Sequence, residues 1–293
     1  MTFLGILIGL GVLAFLLDAG LNKMYQNPRT PHQATPEQFG IAFEEVRFPT
    51  RNQRTLYGWW IPAKDETSGS KQTPTLVLVH GWGRNVERML PYIERLHPLG
   101  YHLLAFDARH HGSSDPDGHA SMPKFAEDIR AALDFLEDKL QEQKGAFGVV
   151  GLSVGGSAAI YAASQDARIR SVVTVGAFAH PGEVIRTDFR KRDIPAFPLA
   201  WLICKHIELR IGHRLDRIAP VHNIAKSEAH MLLIHGEEDA VIPVEQAKKL
   251  HRAADPERVR LWLLPGKGHS DCHLHPEFWR RVGQFLKIAL VSA

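Results

Sequence analysis

The sequence has very little cysteine. Only Cys204 and Cys272 occur among 293 residues, and their separation leaves no C-x-x-C motif. This excludes a disulfide framework and the paired-thiol spacing of zinc sites and redox motifs. The two residues are interpreted as unpaired structural thiols, which is compatible with a reducing compartment.

The chain also lacks a large excess of one charge. Its 35 Lys and Arg residues against 32 Asp and Glu residues give a formal net charge of +3. A nucleic-acid partner would require a basic patch or stripe together with a binding motif. Neither is found, so no nucleic-acid partner is predicted. With 44% hydrophobic and 23% charged residues, the composition is that of a globular protein that can bury a full core.

No ionisable side chain occurs between residues 2 and 17. As a helix, with a rise of about 1.5 Å per residue, residues 2–21 would nearly cross a hydrocarbon core of about 30 Å. A cleaved signal peptide is the alternative, but no Lys or Arg precedes the apolar run and Asp18 stands where small cleavage-site residues are needed. We therefore predict a single-pass membrane anchor at residues 1–21, with the remainder of the chain on the cytoplasmic side because positive charges follow the span.

The rest of the chain is typical of an α/β protein. Residues 22–40 contain three prolines and few apolar residues, which indicates a linker. Residues 41–48 and 54–61 predict an antiparallel hairpin at a sheet edge. Short apolar runs then alternate with helical stretches, which favours a mostly parallel sheet with helices on both faces. The further predicted strands are 75–79, 101–106, 146–150, 171–175, 230–234 and 258–264.

Residues 176–226 interrupt this alternation because they contain no predicted strand. They carry nine Lys and Arg residues against five Asp and Glu residues. We predict a small helical lid insertion at about residues 177–225, over the strand ends where ligands bind in open α/β sheets. The basic residues 190–192, near Trp201, indicate either a solvated lid or contact with anionic headgroups or an acidic substrate.

A serine motif follows the 146–150 strand directly. Residues 151–155 read G-x-S-x-G around Ser153, and glycines at these positions permit the strained strand-to-helix turn that exposes a serine hydroxyl. Such a serine needs a base, and the base needs a group that fixes its tautomer. Asp239 and His269 each follow a later predicted strand, so they are the candidate orienting acid and base.

The choice of acid and the donors of the oxyanion hole complete the candidate site. Glu237 and Glu238 are the alternatives to Asp239 as the acid. Negative charge on the substrate oxygen calls for two backbone N–H donors. We predict that Val154, the residue after the serine, and Trp82, in the loop after the 75–79 strand, provide this oxyanion hole.

Taken together, the motifs resemble the α/β-hydrolase superfamily, in its esterase, lipase and acyl-hydrolase branches, from about residue 41 to 290. Five motifs occur in family order: H-G-x-G at 80–83, D-x-R-x-H-G-x-S at 107–114, G-x-S-x-G at 151–155, H-G-x-x-D at 235–239 and G-x-G-H at 266–269. The resemblance implies an α/β-hydrolase fold for residues 41–293. It also implies cleavage of an ester, thioester or related acyl bond through an acyl-enzyme on Ser153, without cofactor or metal. His110 departs from the pattern, since glycine is common at its position.

Several alternatives are compatible with the same residues. The same triad could transfer the acyl group to an alcohol or amine instead of water, and an inactive membrane-tethered binding or scaffold protein is a different class. Gly81, Gly83 and Asp107 weakly resemble a dinucleotide-binding fingerprint, but Val86 replaces its third glycine. A metal site could be imagined among nearby side chains: His269, Asp271, Cys272, His273 and His275. Apolar residues in the insertion favour a lipid-like acyl substrate.

Overall fold

The structure, a computed structural model, describes residues 29–64, 73–141 and 146–291. It also describes Asn27 and positions 5, 8, 9, 11, 12, 15 and 18–20. The predicted anchor at residues 1–21 therefore lies largely outside the described residues. Among the residues that are described, no helix is both long and apolar enough to cross a bilayer.

Eight strands form one sheet in the order β1-β2-β4-β3-β5-β6-β7-β8. β1 and β2 form an antiparallel hairpin at one edge, β2 pairs antiparallel with β4, and all other neighbours are parallel. All residues of β3 and β4 are buried, as expected for central strands covered on both faces. The strands are β1 (Glu44–Thr50), β2 (Arg54–Ile61), β3 (Thr75–Val79), β4 (His102–Phe106), β5 (Phe147–Leu152), β6 (Ile169–Val175), β7 (His230–Gly236) and β8 (Val259–Leu264).

Helices cover both faces of the sheet and divide the core into two layers. Because successive strand residues point to opposite faces, Val77 of β3 packs with Ile129 and Ile160 on one side, whereas Leu78 packs with Leu286 on the other. The helices are α1 (Leu90–Leu96), α2 (Met122–Leu140), α3 (Val154–Ala163), α4 (Pro181–Lys191), α5 (Leu199–Ile211), α6 (Leu215–Ile218), α7 (Glu245–Ala253) and α8 (Phe278–Val291).

The segment between β6 and β7, which we call the cap (residues 177–225), is helical and consists mainly of α4, α5 and α6. Gln246 of α7 holds the base of the cap, since its Oε1 accepts hydrogen bonds from the N–H groups of Ala179 (2.9 Å) and His180 (3.2 Å). Lys191, at the end of α4, donates to the carbonyl of Ala240. The cap is therefore fixed to the loop that follows β7.

A buried ion network fixes the loop between β4 and α2. The Arg109 side chain is fully buried, and its Nε donates to Asp128 Oδ1 at 2.6 Å. Its other nitrogens reach Asp117 at 3.0 Å and Glu127 at 2.5 Å. Burial raises the pKa of Asp128 to about 6 even though Arg109 lies beside it. The arginine thus compensates a carboxylate that would otherwise be buried without an opposite charge.

We expect Arg109→Met to lower the free energy of unfolding by about 3–5 kcal/mol, because it leaves the Asp128 carboxylate buried and unpaired. Urea unfolding of the purified variant measures this. The matched control is Arg95→Met. The Arg95 side chain is 57% exposed, so its loss should change stability by no more than about 0.5 kcal/mol. Equal stability of the two variants would contradict the assigned role of the buried pair.

Candidate active site

Ser153 lies in a strained turn between β5 and α3. Its backbone has φ 53° and ψ −119°, a region that non-glycine residues rarely adopt. The turn is too tight for side chains on the flanking glycines: a Cβ on Gly151 would lie 2.5 Å from the Gly155 carbonyl oxygen, and one on Gly155 would lie 2.5 Å from the His80 carbonyl oxygen. The G-x-S-x-G spacing therefore follows from backbone packing, and it leaves the half-buried serine at the carboxyl end of β5.

Asp239 and His269, predicted from separate motifs, are in direct contact. His269 Nδ1 and Asp239 Oδ2 are 2.6 Å apart. The other oxygen, Asp239 Oδ1, accepts the N–H groups of Val241 and Ile242, each at 2.8 Å. These bonds fix the carboxylate so that it orients the imidazole.

His235, which begins the H-G-x-x-D motif but was assigned no role from the sequence, also supports Asp239. Its Nε2 lies 3.3 Å from Asp239 Oδ2 and 2.8 Å from the Ile242 carbonyl oxygen. Burial acts to raise the pKa of Asp239, but hydrogen bonds from His235 and His269 outweigh burial and hold that pKa well below its ordinary value. The carboxyl group is consequently ionised throughout the neutral range. A histidine four residues before the acid, at the end of a buried strand, was the available signal in the sequence.

The neighbouring alternatives make different contacts. Glu237 and Glu238 are exposed. Asp271 Oδ1 accepts the Gly268 N–H at 2.7 Å, and Cys272 Sγ lies 3.4 Å from the Gly268 carbonyl oxygen, so both brace the loop before His269. Within the described residues, no group of three or more His, Cys, Asp or Glu side chains is arranged to hold a metal ion.

The end of β6 brings the serine and histidine loops together. Ser153 N–H donates to the Val175 carbonyl at 2.8 Å. At Gly176, with φ 68°, a Cβ would lie 3.0 Å from both Cε1 and Nδ1 of His269. No hydrogen bond joins Ser153 Oγ to His269 within the described residues, although such bonds often tighten only when substrate binds. Gly176 was not identified from the sequence, where it appears only as a glycine after a strand.

The two predicted oxyanion donors lie beside the serine. A Cβ on Gly81 would be 3.4 Å from Ser153 Cβ, so the peptide that carries the Trp82 N–H follows directly on a residue in contact with the serine. Val154 is the first residue of α3, where helix N–H groups have no partner within the helix. Within the described residues, neither of these two N–H groups donates to a protein acceptor.

Two buried histidines hold residues 80–83, which we call the oxyanion loop after the role predicted for Trp82. The Ala108 N–H donates to His80 Nε2 at 3.0 Å, and His80 Nδ1 therefore carries the proton that it donates to the Gly81 carbonyl at 2.7 Å. In the same way, the Gly83 N–H donates to His111 Nε2 at 3.3 Å, and His111 Nδ1–H donates to the Arg109 carbonyl at 3.0 Å. Burial lowers the pKa of both imidazoles, that of His111 to about 3.

Comparison with known proteins agrees with this architecture. A family model of the alpha/beta hydrolase fold matches residues 74–201. The structure of the Pyrococcus furiosus esterase Pf2001 aligns with a TM-score of 0.71 and 26% identity, over 90% of this chain and 100% of that chain. This is the α/β-hydrolase fold. The fold class predicted from the sequence is confirmed. The α/β hydrolase GrgF from Penicillium sp. sh18 resembles it in fold alone, with a TM-score of 0.65 and 19% identity over 86% of this chain and 100% of that one.

Curated relatives extend the comparison. An uncharacterized protein of Mycobacterium tuberculosis H37Rv is 26% identical over 271 residues, covering 92% of this chain and 86% of that protein. The uncharacterized protein YqkD of Bacillus subtilis is 28% identical over 219 residues, covering 72% and 69%. The thiohydrolase aneE of Aspergillus aculeatus is 31% identical over 130 residues, covering 43% and 39%. The two bacterial relatives are uncharacterized, so support for the α/β-hydrolase superfamily and for a hydrolase comes from the family model and the esterase structures.

In this hydrolase fold the neutral state of His111 contributes a pH-dependent stability. Its pKa is lowered on folding, so between pH 6.5 and 3 the unfolded chain binds a proton that the folded chain does not, and stability falls as the pH falls. Between pH 7 and pH 5 we expect the free energy of unfolding of the wild type to fall by about 2 kcal/mol more than that of His111→Leu. Urea unfolding at both pH values measures the difference. His230→Leu, at an exposed histidine, should keep the wild-type pH dependence, and the assignment fails if His111→Leu keeps it as well.

Proposed function

We propose that this chain is a serine hydrolase that cleaves a carboxylic ester or thioester through an acyl-enzyme. The observation that carries the proposal is the 2.6 Å contact between His269 Nδ1 and Asp239 Oδ2, beside a serine held in a strained turn. A purely structural serine would not require a φ of 53°, and such strain is typical of functional sites.

Each group has a defined role in this reaction. Ser153 Oγ attacks the acyl carbon, and His269 Nε2 accepts the hydroxyl proton and then transfers it to the leaving group. Asp239 stabilises the imidazolium that forms. The Trp82 and Val154 N–H groups bind the oxyanion of the tetrahedral intermediate. Water, activated by the same histidine, then releases the acyl group and restores the serine.

The relatives support the choice of an acyl bond as substrate. The Pyrococcus furiosus protein is described as an esterase and the Aspergillus aculeatus protein as a thiohydrolase. Esters and thioesters both react through an oxyanion and differ in the leaving group, so one set of residues serves both.

We expect Ser153→Ala, His269→Ala and Asp239→Asn each to slow fluorophosphonate labelling by at least about 10³-fold, because each removes a part of one nucleophilic unit. Labelling of the full-length protein in detergent measures this without knowledge of the substrate. Ser164→Ala is the matched control, since Ser164 lies at the other end of α3 and its hydroxyl donates to the Tyr161 carbonyl.

The outcomes separate the alternatives. Labelling that persists in Ser153→Ala would refute the proposed nucleophile, and no labelling of the wild type would favour a binding or scaffold protein. If the wild type is labelled, hydrolysis of p-nitrophenyl acetate with added methanol or hydroxylamine separates hydrolysis from acyl transfer. A free acid as the main product supports the hydrolase.

We also propose that residues 2–21 anchor the chain in a membrane, with the cap facing the bilayer surface. Asp18, at the end of the apolar run, contacts His206 at 3.0 Å and Arg210 at 3.5 Å on α5 of the cap. The cap exposes large apolar side chains, among them Phe197 (77%) and Leu209 (83%). Because the cap also carries the excess of basic residues, an anionic membrane surface and a lipid-like acyl substrate fit its composition.

Lysine within the apolar run tests the anchor. Ile8 and Val12 are 59% and 52% exposed, and a lysine at either position would place a charge near the centre of the bilayer. We expect the double variant Ile8→Lys/Val12→Lys to leave the membrane fraction on alkaline extraction, whereas the wild type and Gly20→Lys, at the end of the run, stay in it. Extraction of the wild type itself would refute the anchor and leave the serine-hydrolase proposal untouched.

A further inference from the structure

The segment formed by Asn27 and residues 29–33, which we call the strap, contacts the loops beside Ser153. Arg29 Nε donates to the Gly112 carbonyl at 2.9 Å, and Asn27 Nδ2 donates to the His110 carbonyl at 3.1 Å. The Thr30 carbonyl accepts a hydrogen bond from Asn85 Nδ2 at 3.2 Å. The strap is thus joined both to the loop after β4 and to the segment after β3, although the prolines of this region predict only a linker.

His32 makes the most buried contact of the strap. Its Nε2 lies 2.9 Å from Asp107 Oδ2, and the two side chains are 13% and 0% exposed. The imidazole stacks on Tyr57 with ring centroids 5.0 Å apart and meets the edge of Trp59 at 5.7 Å. The hydrogen bond to Asp107 raises the pKa of His32. Burial acts to raise the pKa of Asp107, but the same hydrogen bond helps to hold that pKa below its ordinary value.

Asp107 connects His32 to the segment that follows the oxyanion loop (residues 80–83) and to the loop after β4. Its Oδ1 accepts the Val86 N–H at 2.6 Å, just after the oxyanion loop, and its Oδ2 accepts the Ser113 N–H at 2.8 Å. The neutral His80 and His111 link the oxyanion loop to residues 108–111, as described above. At Gly83, within the oxyanion loop, a Cβ would lie 3.5 Å from Asn27 Oδ1. The strap therefore borders the oxyanion loop directly and supports it through Asp107.

We infer that the strap is part of the catalytic domain and that His32 is a positioning residue, which holds the Trp82 N–H at the distance from Ser153 that the oxyanion requires. The inference rests on the proposed function. An error of about 1 Å in the position of a catalytic group can cost 10²-fold in rate, so a hydrogen bond that fixes the loop affects kcat without touching the substrate.

The test compares His32→Ala, His32→Gln and the control His230→Ala in full-length protein with p-nitrophenyl acetate. A glutamine amide nitrogen can donate from the place of His32 Nε2, whereas alanine cannot. We expect His32→Ala to lower kcat about tenfold with KM changed by no more than about twofold. His32→Gln and His230→Ala should keep kcat within about threefold of the wild type. Wild-type kcat in His32→Ala, or an equal loss in both His32 variants, would overturn the positioning role.

Arg29→Ala and hydrogen–deuterium exchange test the same inference in two further ways. The first avoids the risk of misfolding, and the second does not require activity. Arg29 is exposed, so Arg29→Ala removes one strap contact without a buried void, and it should lower kcat in the same direction by a smaller factor. Hydrogen–deuterium exchange of residues 80–88 needs no activity. Faster exchange there in His32→Ala supports the strap and unchanged exchange overturns it, whereas an inactive wild type would count only against the proposed function.

Discussion

The parallel alignment of β3 to β8 is the constraint on which the site depends. Since neighbouring parallel strands end at the same edge of a sheet, the loops after β3, β5, β6, β7 and β8 converge on one region. Ser153, Asp239 and His269, which are 30 or more residues apart in the chain, are near one another only because of that alignment. The flanking antiparallel hairpin lies at the far edge and takes no part in the convergence.

The common edge of the strands brings the loops together, and buried polar groups then fix the conformations of these loops. Arg109 compensates Asp128, and His235 supports Asp239. His80 and His111 serve as neutral hydrogen-bonding groups. In each case a polar side chain is taken out of water only because a specific partner satisfies it, and the loss of one partner leaves the other unsatisfied. Such networks specify a single loop geometry, which an oxyanion hole requires because its donors must be in place before charge develops.

The strap extends this polar network beyond the sheet. His32 and Asp107 join a segment that precedes β1 to a loop that follows β4, so the N-terminal region and the candidate active site are mechanically connected. Asp18 provides a second connection, from the apolar N-terminal run to α5 of the cap.

The local pattern of the sequence was sufficient for the strands. All eight were predicted; those at 54–61 and 75–79 agree with the observed limits, whereas β1 begins at Glu44 rather than residue 41. The alternation of apolar and polar residues and the runs of β-branched residues indicate burial within one segment. They therefore predict a strand without knowledge of the fold. Strand ends are less certain because the sheet partner decides where pairing stops.

The sequence by itself determined the element types, the α/β class and the identity of the candidate triad, because a strained turn and a loop after a strand leave recognisable glycine and proline patterns. Only the tertiary structure decided that His235 supports Asp239, that Gly176 packs against His269, that His80 and His111 are buried and neutral, and that His32 contacts Asp107. Each of these depends on which side chains the fold brings together, and the local sequence around each residue does not specify that partner. The sequence does not show whether a histidine lies in water or beside a buried carboxylate. That environment sets its charge and its role.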